Sequence, residues 1–143
     1  MASKIRQDNK KRIPMVKETD VRIGNWVTDS EGNFTQIDRE DFHAAAIYQD
    51  HFDNLSPIPL TPDILSKCGF EMYDNSDHIY TTYGNRGDDS DFFLQIDWRH
   101  REEGFRPLIK SNEYETIGTH ITYLHQLQNL YFALTGKELN YTP

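Results

Sequence analysis

Apolar and polar positions follow different periods in different parts of the chain, and the periods sort it into elements. The longest helical pattern is Thr119 to Gly136, THITYLHQLQNLYFALTG. At about 100° per residue, Leu124, Leu127, Tyr131 and Leu134 fall on one stripe, widened by Ile121 and Phe132 on one side and by Tyr123 and Leu130 on the other. The apolar arc spans roughly 200°, twice what a surface helix needs, so the pattern predicts a helix gripped on two sides by a curved sheet. Thr119 is the expected N-cap and Gly136 the left-handed residue that ends the helix. Gln128 falls inside the apolar arc and calls for hydrogen-bond partners there. His125, Gln126, Asn129 and Ala133 form the expected solvent face.

The rest of the chain reads mainly as strands and turns. VRIGNWV and FTQI are β-rich, and DSEGN between them is turn chemistry, so Asp20 to Ile37 predicts a hairpin. Gly24-Asn25 interrupts the alternation of its first strand, which predicts a bulge. Such a strand–bulge–strand opening is common in small SH3-like barrels. Residues 38–43 are polar, and Ala44–Tyr48 fits either a strand or a short helix. The prolines of DNLSPIP extend the chain. Thr61 then offers a cap, Pro62 a first helical position, Leu60 a staple to Leu65, and Gly69 an end, with Phe70 packing back on Leu65. A meander follows: Phe70–Tyr73, Ile79–Tyr83, Phe92–Trp98, Pro107–Ile109 and Tyr114–Ile117, separated by DNSD, GNRGDDSD and polar links. These elements predict an α+β fold. Its mostly antiparallel sheet is bent, in an SH3-like or barrel-like manner, and packs on the long C-terminal helix with one short helix beside it.

Composition narrows the picture. The 143 residues suit one domain, expected over 19–143 after an arm at 1–18. A mean hydropathy of −0.77 and the lack of a long apolar run give no membrane span, and residues 1–20 hold no apolar signal segment, so a reducing cytoplasm is expected. Cys68, the one cysteine, can form neither an internal disulfide nor a cysteine zinc cage. The formal charge of −8 is uneven: residues 1–17 carry six basic side chains against Asp8, a net +5, which leaves −13 for the remainder. Lys10, Lys11 and Arg12 make the arm the only candidate for nucleic acid, because the acidic body repels phosphates.

Candidate chemistry is sparse. No phosphate loop, dinucleotide fingerprint, zinc-protease helix, paired-cysteine or nucleophile-elbow motif occurs. His51 and Asp53 form an HxD that would share one strand face, and with His43 and Asp41 nearby they are the candidate metal or hydrolytic set. Asp88, Asp89 and Asp91 crowd a glycine-containing loop, but the ligand order of a calcium loop is missing. Asp97, Trp98 and His100 could serve acid–base chemistry only if the fold made them converge. Trp26 reads either as a core-edge residue or as an aromatic platform for a ligand. No cofactor or metal is expected.

RIGNWV, then PIPLTPDILSKCGFE, then YLHQLQNLYFALTGKEL resemble, in order and across roughly residues 19–139, a family of small proteins found widely in Bacteroidetes genomes and in phages and prophages of those bacteria. Typical members lack the basic arm. The resemblance implies the opening strand, the short helix and the final helix, and a bacterial or phage setting. It implies no activity, cofactor or catalytic residue. The expected function is thus a non-enzymatic protein-interaction module of phage or mobile-element origin. One form of it is an acidic inhibitor of a host defence protein, and the candidate contact residues are Lys10, Lys11, Arg12, Trp26, Asp88, Asp89 and Asp91. The alternatives are a small metal-dependent hydrolase using His43, His51 and nearby acids, and a phage structural or nucleic-acid accessory protein acting through the arm. A homo-oligomer is compatible with the sequence.

Overall fold

The computed structural model describes residues 15–72, 79–83, 93–97, 106–110, 114–116 and 120–143. The chain divides into two compact units, Met1–Ile58 and Pro59–Pro143. The fold is α+β, and among the described residues every strand pair is antiparallel.

The first unit is built on a hairpin. Strand β1 (Trp26–Thr28) pairs with β2 (Phe34–Gln36), and its other edge takes the short β3 (Ser56–Pro57), in the order β2-β1-β3. The DSEGN turn closes as its composition requires: the Asp29 carboxylate accepts the N–H groups of Glu31 and Asn33, each at 2.9 Å. The bulge is present. Gly24 and Asn25 together face Ile37, with Gly24 N–H donating to the Ile37 carbonyl (2.7 Å) and Ile37 N–H to the Asn25 carbonyl (2.8 Å). Gly24 sits at φ +95°, which a residue with a Cβ seldom adopts.

Helix α1 (Arg39–Ile47) follows, so the polar stretch and the ambiguous Ala44–Tyr48 segment are one element. A reciprocal cap starts it. Asp38 Oδ1 accepts the N–H of Glu40 (2.9 Å) and Asp41 (3.2 Å), while Asp41 Oδ2 accepts the N–H of Asp38 (2.9 Å). A 3-10 turn, His51–Asn54, leads to β3. Val16, Val21, Val27, Ile37, Ala45, Phe52 and Leu55 form this unit's core, with Phe42 packed on it.

The second unit opens with Pro59 bridging to Tyr123, and Leu60 N–H donates to the Thr122 carbonyl (2.9 Å). Helix α2 (Pro62–Lys67) is capped by Thr61, whose hydroxyl accepts from Ile64 N–H at 3.2 Å. It ends in a Schellman motif, with Phe70 N–H on the Leu65 carbonyl, Gly69 N–H on the Ser66 carbonyl and Gly69 at φ +87°. The expected meander forms a five-stranded sheet of β4 (Glu71–Met72), β5 (Ile79–Tyr83), β6 (Phe93–Asp97), β7 (Arg106–Lys110) and β8 (Tyr114–Thr116), each strand beside its sequence neighbour.

Helix α3 (Leu124–Thr135) is shorter than its pattern predicts. Thr119 lies outside the described residues, and the helix begins well after it. The N-cap is Tyr123, and the Gln126 side chain reaches back to accept the N–H of Thr122 (2.8 Å) and Tyr123 (3.0 Å). The reason is local: Tyr123 is held extended by its bridge to Pro59, and the β-branched Ile121 and Thr122 favour that conformation. The C-terminal expectation holds, with Gly136 at φ +70° and its N–H on the Phe132 carbonyl (2.8 Å). The buried face is rotated from the predicted one. Leu124, His125, Leu127, Gln128 and Tyr131 are buried, Leu130 and Leu134 half-buried, and Phe132 exposed. His125, expected in solvent, stacks on Tyr123 with ring centroids 5.9 Å apart.

Candidate functional site

Register fixes which side chains of the first sheet share a face, because directly opposed residues of antiparallel strands point the same way. Val27 lies opposite Thr35 and Pro57, and Val27 is fully buried, so this set faces the core. The other set therefore faces out: Trp26 opposite Gln36, and Thr28 between Phe34 and Ser56. Phe34 is 43% exposed, and Trp26 is half-buried. The two aromatics are diagonal neighbours on one face, a spacing that long aromatic side chains can span. Trp26 is thus an outward residue at the edge of the core, which keeps the platform reading open to it. Ile23, Ile47 and Tyr48 add exposed apolar area within the same unit.

The loop that positions Trp26 is RIGN. Asn25, fully buried, accepts the Arg22 N–H on its side-chain oxygen (2.8 Å) and returns its own N–H to the Arg22 carbonyl (3.1 Å). Gln36 Nε2 donates to the Gly24 carbonyl (3.2 Å). A buried amide that closes its own turn fixes the start of β1 and hence the direction of the next side chain.

The candidate hydrolytic set is only partly assembled. His51 Nε2 lies 3.0 Å from Asp41 Oδ1, and since a carboxylate only accepts, the proton of this contact is on Nε2. The other Asp41 oxygen is committed to the α1 cap. Both side chains are about a quarter exposed, and the ring of His51 meets Phe52 edge-on. The HxD does not lie on a strand: residues 51–54 form the 3-10 turn, which leaves Asp53 exposed and not beside His51. His43 is exposed on α1. Among the described residues, no three His, Cys, Asp or Glu side chains gather to hold a metal. The pair ties the start of α1 to the turn that follows it.

Cys68 is buried at the end of α2, and burial pushes its thiol up to about 12, which makes it a core residue and a poor nucleophile at neutral pH. Lys10, Lys11, Arg12, Asp88, Asp89 and Asp91 lie outside the described residues, as do Trp98 and His100. Among the described residues, no helix is long and apolar enough to cross a membrane.

Compared with protein-family models, with curated proteins and with solved structures, the chain matches none.

Proposed function

We propose that the chain is a non-enzymatic protein-interaction module, acting in a bacterial cytoplasm and of phage or mobile-element origin. The observation that carries this reading is the outward placement of Trp26 and Phe34 on one face of the small sheet. Aromatic rings in such positions supply large contact area with few rotors to freeze, which is why interfaces are rich in them. Charge supports the same reading. Over residues 15–58, nine acidic side chains stand against Lys17, Arg22 and Arg39, which disfavours nucleic acid as the direct ligand and favours a basic protein surface. An inhibitor that fills the basic channel of a host defence nuclease is one form of this function, because clustered carboxylates imitate phosphate charge. The basic arm, with Lys10, Lys11 and Arg12, would add contacts to an acidic part of the same partner or to nucleic acid.

The test is affinity capture from host lysate with the full chain. A partner is expected at moderate salt and lost at high salt. The Trp26→Ser, Phe34→Ser double variant should weaken capture by at least about tenfold while keeping its fold, since hot-spot truncations typically remove 2 kcal/mol or more. A chain that stays alone at every salt, or a double variant that captures as well as the parent, sinks the reading.

The hydrolase alternative draws on one observation, the Asp41–His51 contact. Added Zn²⁺ or Mn²⁺ that raises the melting temperature of the parent but not of His51→Ala would favour it, and no shift with either metal would remove its support.

A further inference from the structure

We infer that the first unit captures its partner by strand addition, with a lysine- or arginine-bearing extended segment pairing along the outer edge of β2. This deepens, and rests on, the reading of the outer sheet face as a protein-binding surface.

Hydrogen-bond parity identifies the edge. Among the described residues, β2 has β1 as its one neighbour. Asp29 N–H donates to the Asn33 carbonyl and Ile37 N–H to the Asn25 carbonyl, both at 2.8 Å. In an antiparallel ladder, bonded residues alternate, so Asn33, Thr35 and Ile37 turn their backbone groups toward β1. Phe34 and Gln36 then turn theirs away. The free edge offers two N–H donors and two carbonyl acceptors at alternate positions, the template that an added strand reads. Neither proline nor a charged side chain guards it, since β2 is Phe34, Thr35 and Gln36. A strand laid along it would place alternate side chains on the outer face beside Phe34, continuing the surface that Trp26 begins.

Charge selects the occupant. Exposed Glu31 stands in the turn before β2, and exposed Asp38 and Glu40 follow it, with Arg39 as the one basic residue in that run. An incoming segment with Lys or Arg alternating with apolar residues meets this field favourably. A second copy pairing β2 to β2 would bring two such acidic surfaces together, which like charge disfavours.

The test uses the full chain and three synthetic octapeptides: alternating Lys and Val, alternating Glu and Val, and the Lys–Val peptide N-methylated at every residue, which blocks both of its edges. Binding is read by fluorescence anisotropy and by the NMR shifts of the Phe34 and Gln36 amides. The Lys–Val peptide should bind and move both amides, and the other two should not. Gln36→Pro removes one outward N–H and leaves the backbone bonds of the ladder to β1. Because it also removes the side-chain bond to the Gly24 carbonyl, Gln36→Ala is its control. The proline variant should bind about tenfold more weakly than that control, as the loss of one or two backbone hydrogen bonds implies. No binding of the Lys–Val peptide, or equal binding of its N-methylated form to the parent chain, overturns strand addition whether or not Gln36→Pro folds. Equal binding of the Glu–Val peptide overturns the basic occupant. A Lys10→Ala, Lys11→Ala, Arg12→Ala chain that binds tenfold more tightly shows that the chain's own arm fills the edge, and self-association abolished by Gln36→Pro shows that a second copy does. Either result overturns a separate partner as the occupant. If the Trp26, Phe34 double variant loses lysate capture while Gln36→Pro keeps it, strand addition falls and the interaction module stands.

Discussion

Burial decides what Cys68 can do. In water its thiol would ionise near 9.0; in the second unit's core it holds its proton to about 12. The unfolded chain therefore releases this proton first as pH rises, and the folded state is disfavoured over the interval between the two values. Stability contributed here is complete below pH 9 and falls above it, by up to about 1.4 kcal/mol per pH unit. Burial, with Cys68 and Asp63 nearby, also raises Tyr141 above its ordinary 10.0, which adds a loss of the same sign at higher pH. Denaturant midpoints measured from pH 8 to 11 should fall, and less steeply in Cys68→Ala. The native thiol should also resist alkylation at pH 8 until the chain is unfolded. A second residue-scale prediction concerns Gly69. Nothing crowds a Cβ there, so Gly69→Ala tests the φ of +87° alone, and a loss of about 1 kcal/mol is expected by denaturant titration. No loss would mean that the Schellman turn is not what ends α2.

At the scale of elements, α3 separates hydrophobic pattern from burial. The sequence stripe is centred among Leu124, Leu127, Tyr131 and Leu134 with Gln128 inside its arc, and Gln128 is buried; but the covered face also takes in His125 and leaves Phe132 39% exposed. Leu127→Ala should then lower stability by about 3–5 kcal/mol, and Phe132→Ala by less than about 1, measured as denaturant midpoints. Similar losses for both would return the helix to its predicted orientation. Helix α1 is a case of the opposite kind. Its cap, Asp38 with Asp41, is legible once the helix is known. Yet its face is weakly apolar, with Ala45 its one buried residue and Phe42 half-buried, so periodicity left Ala44–Tyr48 between strand and short helix and gave no notice of the first half of the element. Asp38→Ala should reduce stability by about 1 kcal/mol, because two α1 donors lose their acceptor.

Charge acts on the molecule as a whole. Five net positive charges in the first 17 residues and thirteen negative ones after them make a chain with opposite ends to its field. Exposed charges of this kind govern association rate and salt dependence more than folding, so capture of a basic partner should weaken as salt rises through the physiological range. The candidate site was legible only in part at this scale. Trp26 stood out by its type. Phe34 did not, because in a three-residue strand the alternation is too short to tell inner from outer positions. The Asp41–His51 contact joins residues ten apart through a helix and a turn, and neither element's local pattern predicted the other.

What the chain determined by itself were the features set by neighbours in sequence: the DSEGN turn, the Gly24–Asn25 bulge, the Thr61 cap with its Gly69 stop, and the successive strands of the meander. Each depends on backbone preference and on hydrogen bonds that span a few residues. Tertiary structure decided where α3 starts, which of its faces is covered, and which side of the small sheet carries Trp26 and Phe34. Those outcomes depend on pairings between distant residues, such as Pro59 with Tyr123 and Val27 with Pro57, and no local preference encodes a partner more than twenty residues away.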